Sequence, residues 1–443
     1  MKRIFSLISV ILITVLCIGA LSSCQVLDNL RDALLGGEAS EDSDGGSLDN
    51  GDADEDDADN NGDSTGNNDS TSGDGTQSDG DGNEETPADP KDETVFLPDG
   101  TEDAESADAL TTAQRALLST VIVRTASSNG SGVILSLDRE SGDAVIVTNF
   151  HVVYYRNTVF DEGISRQIKL YLYGMEQEQY AIEAEYVGGS LTEDIAVLRV
   201  SGSEVIKNSL AVSANIGDSN GVSVTDEVLV VGNPEGDGFS ASRGIISVTN
   251  ETITMTASDG VTQINIRVMR IDAGVNQGNS GGGLYDADGK LIGIVNAKKT
   301  GIDIDNIAWA LPISRVKNLV DSILDNCDGD LVTKTTKPMI GVTLYASAMG
   351  VRIDEDGNLD RYELVTVNEV TETCIIPDEI KVGDIITYTV VDGVRLDADR
   401  VHMVIDHLLT ARVGSTLTIG VLRGGEALEI TLTFTEENFV EIN

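Results

Sequence analysis

Three histidines occur in the 443-residue chain, His151, His402 and His407, and one of them stands where a base could work. His151 follows the apolar run AVIVTN at residues 144–149. An imidazole titrates near neutrality, so a histidine at the end of a strand is a candidate general base. Ser280 is a candidate nucleophile, set in NQGNSGGGL, where four glycines accompany one hydroxyl. Strand-like runs flank this stretch, which argues against a linker, and glycines there let backbone N–H groups turn toward one point. Asp194, at the head of DIAVLRV, is a candidate orienting carboxylate. Acyl transfer through a serine needs these three groups and donors for the oxyanion. The order His, Asp, Ser is a known arrangement of such a triad. Taken singly, each residue has a structural explanation: a core histidine, an acid capping a strand beside Glu193, a serine in a tight turn. Taken together, their settings favour the chemistry.

Positioning these groups requires a rigid frame, and the sequence supplies short β-branched runs. TVIVRTAS, SGVILSL, AVIVTNFHVV, QIKLYLYG, DIAVLRV, DEVLVVG, GIISVTN, INIRVMRI and LIGIVNA are separated by Gly, Asp, Asn and Ser turns. Many short strands without long amphipathic helices between them predict an all-β barrel or sandwich. In ISRVKNLVDSILDN the residues Val316, Leu319, Val320, Ile323 and Leu324 follow helical spacing, with Ser314 as the expected N-cap. Strands resume at Met339 and continue to about Phe434, broken by the helix-like DADRVHMVIDHLLTA. This block reads as a separate small domain. Its two histidines, His402 and His407, are expected at the surface or in a groove and not as metal ligands.

The net charge of −46 is unevenly spread. Residues 25–110 hold 28 Asp and Glu against Arg31 and Lys91 alone. Both this segment and the remainder are acidic, which excludes a basic nucleic-acid surface. The acidic segment is too polar to bury a core and is expected to be a disordered tether. Asp57, Asp59, Asn61 and Gly62 begin a calcium-loop pattern, but Asn68 stands where the bidentate glutamate is needed. A second such pattern around Gly357 has Arg352 at its first position. No metal is expected at either. Lys2 and Arg3, the apolar run 4–20 and small residues before Cys24 form a secretory leader. It resembles a bacterial lipoprotein signal, with Cys24 as the lipidated residue; the apolar run is marginal for an uncleaved span. Cys327 and Cys374 remain in the body, and whether they pair is left open by the sequence.

GSGVI, VTNFHVV, DIAVLRV, VGNPEG, GIIS, IDAGVNQGNSGGGLYDADGKLIGIVNA and IAWALPIS occur in this order between about residues 115 and 326. Together they resemble the HtrA/Deg trypsin-like serine proteases. The resemblance implies a mainly β fold, a trypsin-like double β-barrel with the site between the barrels. It makes His151 the general base, Asp194 its orienter and Ser280 the nucleophile. Gly278 and Ser280 would supply oxyanion amides, with Asn279 shaping the loop. In such proteases the base of the primary pocket lies six residues before the nucleophile, here Gly274, and Asn296 and Ala297 resemble its wall. With no acid at Gly274, cleavage after small aliphatic residues is expected. No cofactor is implied.

Residues 338–436 resemble the PDZ module that follows such proteases, through IGVTL, IKVGDIITYTVVDGVRL and VGSTLTIGVLRGGE. Ile340, Gly341 and Val342 fall where its carboxylate-binding loop would lie, and RYELVTVNEVTETCIIPDE departs from the usual small-residue GSPA pattern. The expected plan is a leader over 1–24, a tether over 25–114, a protease domain over 115–326, a linker over 327–337, a PDZ-like domain over 338–436 and a tail over 437–443. The expected function is a lipid-anchored extracytoplasmic serine endopeptidase acting on unfolded proteins and peptide ends, with a homotrimer as the assembly common in this family. The alternative is a non-catalytic chaperone or peptide-binding scaffold. At Gly283 the family usually has proline, and Gly283→Pro is expected to stabilise the loop.

Overall fold

The computed structural model describes residues 110–158, 161–298, 307–328, 331–332, 335–353 and 359–442. Cys24, the calcium-loop pattern at 57–68 and nearly all of the tether lie outside the described residues, as does Gly357.

The first described element is α1 (Thr112–Ser119), opened by a capping box in which Thr111 and Gln114 bond each other's backbone. Six strands then close a barrel. They are β1 (Thr120–Thr125), β2 (Asn129–Asp138), β3 (Asp143–Thr148), then β6 (Ile168–Leu172), β7 (Ile182–Ser190) and β8 (Ile195–Val200), in the order β1-β2-β3-β8-β7-β6. Between β3 and β6 come the short helix α2 (Phe150–Val153) and a hairpin of β4 (Tyr154–Thr158) and β5 (Asp161–Ile164). These strands are largely buried, and Val121, Val123, Ile134, Ile146, Leu170 and Leu198 belong to one apolar cluster of this barrel.

After the single-turn α3 (Glu204–Lys207), a second barrel closes in the order β10-β11-β14-β13-β12-β9. Its strands are β9 (Glu227–Gly232), β10 (Ser240–Thr256), β11 (Gln263–Ile271), β12 (Gly283–Asp286), β13 (Leu291–Lys298) and β14 (Ala308–Pro312). One apolar cluster runs from first-barrel residues such as Val133 and Val197, through Val231 and Ile294 of the second, to the helix α4 (Ile313–Asp325). Burial of Val316, Leu319, Val320 and Ile323 agrees with the helical spacing read from the sequence. Ser314 does not cap this helix. The helix starts at Ile313, whose side chain is drawn into the core, and Pro312 precedes it without a side-chain cap; Ser314 instead bonds Ser219.

The short pairs β15 (Cys327–Asp328) with β16 (Leu331–Val332), and β17 (Thr336–Pro338) with the C-terminal β24 (Phe439–Glu441), connect to a third sheet. That sheet has the order β18-β19-β20-β22-β23, with β21 on β20, and carries the helix α5 (Val401–Leu408). The strands are β18 (Val342–Ile353), β19 (Leu359–Val370), β20 (Ile385–Val391), β21 (Val394–Asp397), β22 (Thr416–Arg423) and β23 (Glu426–Thr433), over a core of their own. The chain is thus a mainly β protein of two closed barrels and a C-terminal sheet domain. His402 and His407 are buried rather than at the surface, because α5 lays that face on neighbouring elements, and His402 lines a groove with Val351, Arg361 and Arg400. His407 Nδ1 meets Thr389 Oγ1 at 2.7 Å, and burial beside Arg267, Arg400 and Arg361 pushes His402 down to about 2. Cys327 and Cys374 are not joined to each other by a disulfide, and Arg199 Nη2 lies 3.5 Å from Cys327 Sγ.

Candidate active site

Strand register brings the base and its carboxylate together. β3 pairs with β8 antiparallel, with Thr148 opposite Ala196. The residues just past this last pair, on opposite strands, are Asn149 to His151 and Ile195 to Asp194. His151 Nδ1 lies 2.8 Å from Asp194 Oδ2, and the His151 backbone N–H donates to Asp194 Oδ1 at 3.0 Å. Two asparagines complete the cradle. Asn149 Nδ2 donates to the Asp194 carbonyl at 3.0 Å, and Asn296 Nδ2 donates to Asp194 Oδ2 at 2.6 Å. Asp194 itself is 3% exposed and has a φ of +51°. A non-glycine residue in that region is uncommon and is kept only where its surroundings fix it. Burial pushes the His151 imidazole down, but the charge of Asp194 and its hydrogen bond outweigh this and hold it above the ordinary 6.5. With Nδ1–H donated to the carboxylate, Nε2 keeps its lone pair for a proton.

The loop carrying Ser280 is pinned to both barrels. Ser131 of β2 donates its N–H to the Ser280 carbonyl at 2.9 Å and its hydroxyl to the Gly278 carbonyl at 2.8 Å. The loop is also bonded to β13 of the second barrel, where Gly281 N–H donates to the Val295 carbonyl at 2.8 Å and Val295 N–H donates to the Gly282 carbonyl at 2.8 Å. Gly278 has a φ of +98° and Gly281 of +86°. A Cβ at either would run into a backbone carbonyl oxygen, that of Asn233 or of Ser131, so only glycine fits.

The loop's amides divide into two groups. Those of Asn279, Gly281 and Gly282 donate to Asn276, Val295 and Asn279. Those of Gly278 and Ser280 donate to no acceptor among the described residues. The two amides that the resemblance to the proteases assigns to an oxyanion are therefore both unused by the loop itself.

His151, Asp194, Ser280 and Asn296 line one cleft of about 280 Å³, walled on its apolar side by Leu191, Met255, Ala257 and Ile264. Ser280 Oγ donates to the Asn296 carbonyl at 2.9 Å, and no hydrogen bond joins it to His151. Asn296, read from the sequence as a pocket wall, is 1% exposed and turns its side chain to Asp194. Ala297 pairs with Trp309 in the β13–β14 ladder. Gly274 is exposed and stays outside this cleft, its carbonyl accepting from Ser242 at 2.8 Å. Asn279 is buried within the loop. Sequence reading missed the roles of Asn149, Ser131 and the apolar wall; the serine of GSGVI was visible, but its partner 147 residues away was not.

Residues 130–294 match the family described as trypsin-like peptidase domain. The chain is 32% identical over 319 residues to "Serine protease Do-like HtrB" of Bacillus subtilis (strain 168), covering 69% of this chain and 62% of that protein. It is 36% identical over 222 residues to "Serine protease Do-like HtrA" of the same strain, covering 50% of this chain and 43% of that protein. Residues 130–294 are thus similar to a trypsin-like peptidase domain, and the relatives that the chain resembles over a longer stretch are Do-like HtrA proteases. The chain spans less than two thirds of the length of either relative. Among solved structures, "HtrA-type protease AlgW with tripeptide" aligns with a TM-score of 0.47 and 23% identity over 73% of this chain and 95% of that one. The His151–Asp194 pairing in this fold is a catalytic architecture of the serine-protease type.

In the β12 strand that follows the loop, Gly283 departs from the sequence expectation. A Cβ there would land on the ring of Tyr285, which is fully buried with its hydroxyl against Ser119 and Thr120 at 2.9 and 3.1 Å. Glycine at 283 therefore makes room for an aromatic ring, and a proline has no space.

Proposed function

We propose that the chain is a serine endopeptidase in which His151 is the general base, Asp194 orients it and Ser280 is the nucleophile. The observation that carries this reading is the convergence, in one cleft and loop, of an Asp194-held imidazole, the Ser280 hydroxyl and two unused amides. In turnover the hydroxyl swings from the Asn296 carbonyl to His151 Nε2, a rotation between staggered wells. Nε2 takes the proton as Oγ adds to the scissile carbonyl, and the Gly278 and Ser280 N–H groups receive the oxyanion. The protonated imidazole then gives its proton to the leaving amine, and water repeats the sequence on the acyl-enzyme.

In this reading the substrates are unfolded extracytoplasmic proteins, reached by a chain anchored through lipid on Cys24. Residues 115–326 form the protease domain, 327–337 the linker and 338–436 a PDZ-like domain that binds peptide ends by strand addition. Supporting the last point, β18 is an edge strand, and the N–H groups of Ile340 and Gly341 just before it donate to no acceptor among the described residues. Gly341, with a φ of +82°, packs against Cys374 too closely for a side chain. A preference for small aliphatic residues before the cleaved bond is the specificity to test with a peptide library.

A second reading, a peptide-binding scaffold without turnover, draws on the Ser280 hydroxyl being bonded to Asn296 and not to His151. A fluorophosphonate probe separates the two. The wild-type chain is expected to be labelled and to degrade unfolded casein, and Ser280→Ala is expected to lose both, with turnover falling by up to about 10⁶-fold. Peptide binding by an unlabelled, inactive wild type would establish the scaffold.

A further inference from the structure

Glu193, next to the orienting Asp194, is a buried acid with no part in the chemistry described above; its side chain is 7% exposed. It is gripped by Arg315 of α4. The guanidinium Nη2 lies 2.7 Å from Glu193 Oε2 and 2.9 Å from Oε1, and Nε donates to Oε2 at 3.0 Å. Lys337 adds a contact to Oε1 at 3.2 Å. Burial opposes the charge on Glu193, but Arg315 and Lys337 outweigh it and hold the carboxyl below its ordinary range. The far side of Arg315 is held in turn, since Nη1 lies 3.1 Å from Asp406 Oδ1 of α5. Asp406 also pairs with Arg267 of β11, and its carbonyl accepts from Asn318 of α4 at 2.9 Å.

This chain of ion pairs ends one residue from a strained turn. Asp194 has a left-handed φ, and the turn before it is otherwise tied by the Glu193 N–H on Ser190 Oγ at 3.2 Å. A forked guanidinium on a carboxylate fixes direction as well as distance. Resting on the protease reading above, we propose that Arg315 is a positioning residue of the reaction: by fixing Glu193 it holds the left-handed turn that aims the Asp194 carboxylate at His151. Without that grip the turn relaxes, Asp194 rotates from Nδ1, and His151 loses both its orientation and the charge that favours its protonated form. Asp194 is the charged group facing the imidazole, and the remainder of the cleft lining is uncharged.

The test compares wild type, Arg315→Ala, Arg315→Lys and Glu193→Gln in the full chain, by kcat, KM and the pH profile of kcat/KM on a peptide substrate. Arg315→Ala and Glu193→Gln are expected to lower kcat by about 10²-fold with KM little changed, the scale of a small misplacement of reacting groups. Their acid limb is expected to move to lower pH, because His151 keeps its burial and loses its carboxylate. Arg315→Lys is expected to recover part of both. A profile and kcat like wild type in either folded variant overturns the proposal, as does a kcat loss whose acid limb stays in place. If Arg315→Ala does not fold, Glu193→Gln, nearly unchanged in shape, is read by the same criteria. A wild type that turns nothing over refutes the protease reading itself, a different outcome from an active wild type insensitive to Arg315.

Discussion

His151 and Asp194 form a pair whose geometry predicts a pH response. The imidazole is held above 6.5 by a carboxylate that outweighs its burial. As a general base it works when neutral, so the acid limb of kcat/KM is expected above 6.5, and Asp194→Asn is expected to bring it down while lowering kcat by about 10⁴-fold. The same shift has a stability consequence. A histidine bound more tightly by protons in the folded state contributes its full stabilisation below 6.5, and loses it as pH rises through the higher folded value. Thermal melts of wild type and His151→Ala across this window read that contribution, and a difference that grows with pH would contradict it. At this scale Asn296 matters more than its sequence position suggested: its carbonyl holds the resting Ser280 hydroxyl and its amide holds Asp194.

The elements around Ser280 set what the loop tolerates. β12 is paired on both sides, Gly283 lying opposite Val231 of β9 and Ile294 of β13. Tyr285, two residues along the same strand, folds its ring over Gly283. Gly283→Pro is therefore expected to destabilise, by about 1–3 kcal/mol as overpacking does, with a lowered Tm read by calorimetry. A raised Tm would restore the expectation drawn from the sequence alone. The GNSGG motif was legible because positive-φ glycines leave a dense compositional mark. Tyr285 was not, since an aromatic two residues downstream carries no sign that its ring points back over the glycine.

Across the molecule, the C-terminal domain meets the barrels through charge. Arg267 and Arg315, mostly buried, share Asp406, which is 2% exposed. Asp406→Ala leaves both guanidinium groups without this partner and is expected to cost about 3–5 kcal/mol, the usual penalty for breaking a buried pair. Chemical denaturation of the full chain measures it. Because these charges are shielded from solvent, the loss is expected to change little between low and moderate salt, unlike that of an exposed pair. An effect that disappears with salt would place the pair in solvent.

Local patterns in the sequence determined much of this molecule. Short β-branched runs separated by turn residues specify strands, the apolar spacing of residues 316–324 specifies a helix, and the settings of His151, Asp194 and Ser280 single out a cleft. Tertiary structure alone decided which groups answer one another. Register places His151 against Asp194, and chain closure brings Ser131 to Gly278. Helix docking brings Arg315 to Glu193, 122 residues away in the chain. Periodicity records which face of an element is buried; it holds no record of which distant residue will lie against it.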